Sequence, residues 1–236
     1  MKEIAISTVM SIITGIVANF IYCRISNKRF WHFLSFIPGM NKNDIIYPFS
    51  GIREMDSSKN HSCKINSDCV RWECGTIMCW VYVDPIGEGI RDSQNNRYIF
   101  AHTTTPGKSP YYNRFSLGCL GKDEKSWEVI LTDNKTVPCK LSIRDKLKTG
   151  WHHFTFSWNR TKSEMLFFID KGLEGNDLKP ITNWPEKFAD NLVIGAWATE
   201  HDCHYCNTRI AYPVIIKKYL DCNSPEVIKH FNKKPA

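Results

Sequence analysis

The densest set of reactive side chains in the sequence is Glu200-His201-Asp202-Cys203-His204-Tyr205-Cys206. Cys203 and Cys206 have the two-residue gap of a zinc knuckle, and His201 and His204 place metal-ligating nitrogens beside them. A tetrahedral site needs four ligands at once, and only the two thiols are convincingly spaced. Cys63, Cys69 or Cys74 would have to supply a second half. Three states of the cluster stay open: reduced thiols, a disulfide, or a structural zinc. A metal here would be structural, because cysteine-rich sites are usually closed. Redox dithiols share the Cys203-Cys206 spacing, but they act at helix N-termini, and this pair falls between two expected strands.

A second group suits ligand contact rather than catalysis. Tyr111, Tyr112, Asn113 and Arg114 form one loop-like run, and Trp184 lies in another. Aromatic faces stack on sugar rings and anchor protein contacts, so these five are the candidate ligand-binding residues; covering the edge of the core is the alternative. A cysteine nucleophile could in principle pair with His152 or His153. His153 alternates with aromatic residues, however, and a packed or solvent-facing histidine is the simpler reading.

The elements that would position these residues are strands. Thr76 to Val83 is apolar on both faces, which predicts a central strand. Arg97 to His102, Phe115 to Leu120 and Trp127 to Leu131 follow. Between Trp151 and Trp158, Phe154, Phe156 and Trp158 face one way, and His153, Thr155 and Ser157 the other. With Met165 to Ile169 and the turn Asp170-Lys171-Gly172, that strand predicts a hairpin. Asn191 to Trp197 and Arg209 to Tyr219 complete a set of short strands separated by turns, the pattern of a two-sheet antiparallel sandwich. Ser224 to Phe231 predicts a short terminal helix with Ser224 as its cap and Pro225 at its first position.

Four segments occur in a telling order: Gly75-Thr-Ile-Met-Cys-Trp-Val-Tyr-Val83, Gly150-Trp-His-His-Phe-Thr-Phe-Ser-Trp158, Leu166-Phe-Phe-Ile-Asp-Lys-Gly172 and Leu192-Val-Ile-Gly-Ala-Trp197. Residues 44 to 222 thereby resemble the laminin-G-like branch of the concanavalin A-like lectin and glucanase jelly rolls. The resemblance implies an all-β jelly-roll sandwich. It implies no single activity, since the family includes sugar binders, protein binders and enzymes. The hairpin carries Asp170-Lys-Gly where the family has a direct Asp-Gly, and the cysteine-rich insert lies outside the pattern. Some relatives bind calcium through acidic loop residues; no position here matches them, so no calcium ligand is carried over, and calcium itself is not excluded. The glucan-cleaving members use a Glu-x-Asp-x-x-Glu strand, which this chain lacks: Glu124, Glu128 and Asp133 are at the wrong spacing.

The sandwich is preceded by a different kind of segment. Ile4 to Tyr22 contains no charged residue, and as a helix it would span about 28 Å, close to one hydrocarbon core. A cleaved signal peptide is the competing reading, but the start is weakly basic and no Ala-x-Ala pattern follows. Lys2 precedes the segment, whereas Arg24, Lys28 and Arg29 follow it, a bias that places the large domain in the cytoplasm. Ser7, Ser11, Gly15 and Asn19 recur every four residues, a small-residue stripe through which two such helices could associate into a homo-oligomer. The aromatic neck that follows suits a membrane interface or packing on the sandwich.

The expected organisation is therefore a transmembrane anchor over 1–23, a juxtamembrane neck over 24–43, a sandwich over 44–222, and a C-terminal helix with a basic tail over 223–236. The net charge of +7 fits anionic lipid headgroups or an ordinary solvated surface, and no recognition-helix or zinc-finger pattern points to nucleic acid. Ten cysteines would suggest disulfides if the domain faced outward; several fit apolar strand positions, where a thiol acts as a small hydrophobe. The sequence predicts a single-pass, non-catalytic recognition module that binds a glycan or protein. A carbohydrate-active enzyme and an oligomerising membrane effector are the alternatives.

Overall fold

The computed structural model describes residues 42–55, 62–83, 97–102, 113–119, 127–133, 138–143, 147–170, 177–186, 188–196 and 208–236. All but Lys42 belong to the unit Asn43–Ala236. No helix among them is long and apolar enough to cross a membrane. The expected anchor with Ser7, Ser11, Gly15 and Asn19 lies outside the described residues. So do Tyr111, Tyr112, His201, Cys203, His204 and Cys206.

Thirteen strands are described: Ile45–Ile46 (β1), Ile52–Glu54 (β2), Cys63–Asn66 (β3), Cys74–Val83 (β4), Arg97–His102 (β5), Phe115–Cys119 (β6), Trp127–Thr132 (β7), Pro138–Ile143 (β8), Gly150–Asn159 (β9), Glu164–Ile169 (β10), Asp177–Pro180 (β11), Asn191–Ile194 (β12) and Arg209–Ile216 (β13). One short helix, Pro225–Phe231 (α1), follows. The strands form two antiparallel sheets. One runs β1-β13-β4-β9-β10-β11, with β2 also pairing β13; the other runs β3-β12-β5-β6-β7-β8. This is the jelly-roll sandwich that the motif order predicts.

The core between the sheets follows from side-chain alternation. Phe154, Phe156 and Trp158 of β9 point inward beside Ile77, Cys79 and Val81 of β4 and meet Phe100 and Phe115 of the facing sheet. Phe115 lies edge-on to Phe156 at 5.4 Å and to Trp158 at 5.1 Å. β9 and β10 form the predicted hairpin, with Phe156 opposite Phe167.

The other face of β4 and β9 is buried as well, which explains why β4 reads as central. Met78, Trp80, His153, Thr155 and Ser157 are 0–1% exposed because the chain after β13 lies over them. The Ser157 hydroxyl donates to Leu220 O at 2.6 Å, and the Thr76 hydroxyl donates to Lys218 O at 2.7 Å while accepting Leu220 N–H at 3.1 Å. α1 then continues across the sheet, where the Trp80 indole N–H donates to His230 O at 3.3 Å.

Several boundaries differ from expectation for identifiable reasons. β13 stops at Ile216 rather than Tyr219 because the chain leaves the ladder to make these contacts. β12 stops at Ile194, before Gly195 turns away with φ +88°. Ser224 occupies the cap position of α1, but its side chain caps nothing; it accepts Asp221 N–H at 3.0 Å and donates to the Asp221 carboxylate at 3.1 Å.

Candidate functional site

A pocket of about 270 Å³ opens where β9 begins and α1 ends. Its aromatic lining is Trp80, Trp151 and Phe231, and its cations are Lys148 and Lys234, with His152 and Asp170 at the rim. Each group is placed by a local feature of the sequence. Gly150 takes φ +138°, a region that L side chains rarely adopt, and this bend delivers Trp151 and His152 into the strand. Trp151 stands edge-on to Tyr82 at 5.4 Å, and the Arg209 guanidinium lies 3.7 Å above the Tyr82 ring, bracing both aromatics. Trp80 and Phe231 lie 5.5 Å apart, so the last residue of α1 forms one wall.

Asp170 ends β10 in the left-handed region, with φ +53°, which an aspartate tolerates better than most residues. From there its carboxylate reaches back to β9. One oxygen accepts His153 N–H at 2.8 Å, and the other pairs with His152 Nδ1 at 2.6 Å. The second His152 nitrogen lies 2.6 Å from Lys148 O. Burial works against a charged His152 ring. The hydrogen bonds to Asp170 and Lys148 O, together with the Asp170 charge, outweigh that burial and the opposing charge of Lys234, and the pKa is raised. Both imidazole nitrogens face acceptors, so the protonated ring satisfies both. In this arrangement the protonated ring has both N–H groups engaged and offers no free lone pair.

Of the sequence-derived ligand set, the described residues Asn113, Arg114 and Trp184 sit at the opposite end of the sandwich, where β9 ends and β6 begins. Asn113 and Trp184 are brought close together: Asn113 Oδ1 accepts Glu186 N–H at 2.9 Å, and the Trp184 ring is 6.3 Å from Phe115. They are not surface groups, however. Asn113 is 5%, Arg114 2% and Trp184 8% exposed. Arg114 is turned inward, donating to the Ser116 hydroxyl at 2.7 Å and to the Tyr98 hydroxyl at 2.9 Å. These three residues take the alternative position, covering the edge of the core: polar partners inside the fold satisfy Asn113 and Arg114, and Trp184 joins the aromatic edge of the core around Phe188.

Sequence reasoning singles out one pocket residue for chemistry, His152, as a possible partner of a cysteine nucleophile, and none for ligand contact. Trp151, His152 and Asp170 belong to the motifs that identify the jelly roll. Asp170 in the hairpin turn was the available signal, because a carboxylate beside Gly172 is free to reach the neighbouring strand. Phe231 and Lys234 carried no such signal, since about 80 residues separate them from Gly150 and only the fold joins them.

No protein-family model matches the sequence, and no curated protein matches it. Solved structures do share the fold. A K499G mutant of the NanB sialidase from Streptococcus pneumoniae aligns over 78% of this chain and 28% of its own, with a TM-score of 0.58 at 14% identity. The CBM40 of the Ruminococcus gnavus IT-sialidase aligns over 76% of this chain and 96% of its own, with a TM-score of 0.56 at 10% identity. Botulinum neurotoxin type C, described as entering cells through interaction with two ganglioside molecules, aligns over 74% of this chain and 40% of its own, with a TM-score of 0.50 at 14% identity. This chain therefore spans a little over a quarter of the sialidase and nearly all of the CBM40. At these identities the likeness defines a class of fold, the β-sandwich jelly roll.

Proposed function

We propose that this chain is a membrane-tethered, non-catalytic recognition module whose sandwich binds a glycan bearing an acidic sugar in the pocket between β9 and α1. The observation that carries the reading is the pocket's composition: part-exposed Phe231 and, at 9% exposure, Trp151, with Trp80 buried behind them, beside the cations Lys148 and Lys234. Aromatic groups take the apolar C–H faces of a sugar ring, and the cations take a carboxylate. The likeness to a sialidase, to a CBM40 and to a ganglioside-binding toxin supports a sugar ligand. Glycoside hydrolysis generally needs two carboxyl groups across the scissile bond. Among the described lining residues Asp170 is the sole carboxylate, and it is held by His152 and His153.

Residues 4–22 supply the tether. The flanking Arg24, Lys28 and Arg29 favour a cytoplasmic domain, whereas a ganglioside-like headgroup requires the opposite side. The charge bias gives the second reading, a cytoplasmic domain whose basic pocket takes an acidic protein segment.

Titration of the full chain with sialyllactose and with lactose, by calorimetry, tests the ligand. The acidic sugar is expected to bind at least tenfold more tightly, and Lys148→Glu with Lys234→Glu is expected to abolish the difference. Equal affinity for the two sugars, or no binding at millimolar concentration, refutes the glycan reading. A membrane-impermeant thiol reagent, applied after reduction to intact and permeabilised cells, decides the orientation. Labelling only after permeabilisation selects the protein partner.

A further inference from the structure

We propose that the buried His153–His230 pair is an acid-sensitive latch that holds α1, and with it the Phe231–Lys234 wall of the pocket, against the outer face of the sheet. The coupling to ligand rests on the pocket being the binding site; the latch itself does not. His153 Nε2 and His230 Nδ1 are 2.7 Å apart, and both rings are 0% exposed. The protons can be assigned from the partners. His230 Nε2 faces Tyr212 O at 2.7 Å and must donate, so its Nδ1 is the acceptor in the neutral ring. His153 Nε2–H donates to it, and the unprotonated His153 Nδ1 accepts from the Thr155 hydroxyl at 3.4 Å. One proton per ring satisfies this chain. A second proton on His230 would set N–H against N–H in a site closed to water.

The titratable groups on the elements packed at the pair are of both signs. On α1 and the turn after it are Glu226, Lys229 and Lys233. At the ends of β9 and β10 are His152 and Asp170, already joined to each other. From β13 comes Tyr212, and from β4 the uncharged Trp80. Burial first, and the Lys233 charge after it, outweigh the bond to Tyr212 O and lower the His230 pKa to about 4. Phe231 lies 5.6 Å from His153, next in sequence to His230 and directly in the pocket wall.

The direction follows from linkage. Released from the sheet, His230 would titrate near the ordinary value of about 6.5, so the released state binds more protons in acid. Docking is at full strength above pH ~6.5 and weakens as pH falls. With pKa values of ~6.5 released and ~4 docked, the docking equilibrium drops roughly 30-fold at pH 5. Acid would then open the pocket from its C-terminal side and discharge the ligand.

The test is hydrogen exchange of the full chain at pH 7.5 and 5.0, corrected for intrinsic rates, together with sialyllactose titration at both. The expected result is a loss of protection in α1 of roughly 30-fold at pH 5.0, with β4 and β9 still protected and sugar affinity reduced. His153→Gln, whose amide can turn its oxygen toward a second proton on His230 Nδ1, is expected to blunt the pH effect. If that variant does not fold, imidazole nitrogen shifts of the unsubstituted chain are expected to show both rings neutral at pH 6. Protection of α1 unchanged at pH 5.0, simultaneous loss from α1 and the core strands, or charged rings at pH 6 would overturn the latch. Release of α1 with undiminished sugar affinity overturns the coupling alone. Absence of sugar binding at pH 7.5 overturns the ligand reading and leaves the exchange result to decide the latch.

Discussion

Replacing Asp170 by Asn isolates the charge that organises the pocket rim. Asn tolerates the left-handed backbone at φ +53° and keeps an oxygen for His153 N–H, so the chain path survives. What is lost is the anionic partner 2.6 Å from His152 Nδ1. A hydrogen bond between charged groups contributes about 1.5–3 kcal/mol. The Asp170 side chain is 38% exposed, and solvent screening reduces the figure to about 1 kcal/mol. The pH dependence has a definite sign. His152 has a raised pKa in the folded state, so its contribution is fully present below the unfolded value of about 6.5 and is lost as pH rises through the higher folded value. Urea unfolding of both proteins at pH 5.5 and 9.0 measures this. With m near 2 kcal/mol/M, the variant's midpoint should fall by about 0.5 M at pH 5.5 and by a small fraction of that at pH 9.0. Titration of the buried His153–His230 pair is common to both proteins and cancels in the difference. A midpoint shift equal at the two pH values, or larger at pH 9.0, refutes the assignment of His152 as a cation held by Asp170.

Other perturbations test the packing and the tether. Gly75→Ala places a methyl in the fully buried Trp158 ring and should cost about 1–3 kcal/mol, read by urea unfolding at neutral pH. Thr76→Val removes the hydroxyl shared by Leu220 N–H and Lys218 O, leaving two backbone groups to find new partners. A loss of about 2–3 kcal/mol is expected, with faster hydrogen exchange at Leu220; a loss below ~0.5 kcal/mol would show that water replaces the hydroxyl. Gly15→Leu should reduce cross-linked oligomers in membranes, because Leu blocks close helix approach; an unchanged monomer–oligomer balance sinks the small-residue stripe.

The elements most legible in the sequence are those buried on a regular face. β5 is predicted residue for residue, and β4, β7, β9 and β10 to within two residues, because aromatic and β-branched side chains alternate through them. β8 begins with Pro138 and carries Lys140 and Ser142 on its outer side, and β11 is four residues with an exposed Leu178. Such edge strands carry little apolar periodicity, and neither they nor the brief β1, β2 and β3 stand out. Arg114 misled for a related reason. A charged residue after Asn113 reads as surface, whereas the Tyr98 and Ser116 hydroxyls on the paired strands β5 and β6 give its guanidinium partners inside the fold.

The outer face of β9 shows how far alternation alone can carry the reading. His153, Thr155 and Ser157 alternate with the core aromatics, and by polarity they should face water. They are buried because the residues after β13 bring matching acceptors and donors: Leu220 O for Ser157, and His230 Nδ1 for His153. A polar stripe under a covering segment is stable only when each group is paired, since one unpaired buried donor or acceptor costs about 1–3 kcal/mol. The pairing therefore dictates where the C-terminal segment lies. Its position in turn carries Phe231 and Lys234 to Trp80 and Lys148, closing a pocket whose two sides are remote in sequence. A histidine and a serine that look like solvent-facing filler thus specify the placement of the C-terminal segment and α1, and through it the shape of the site.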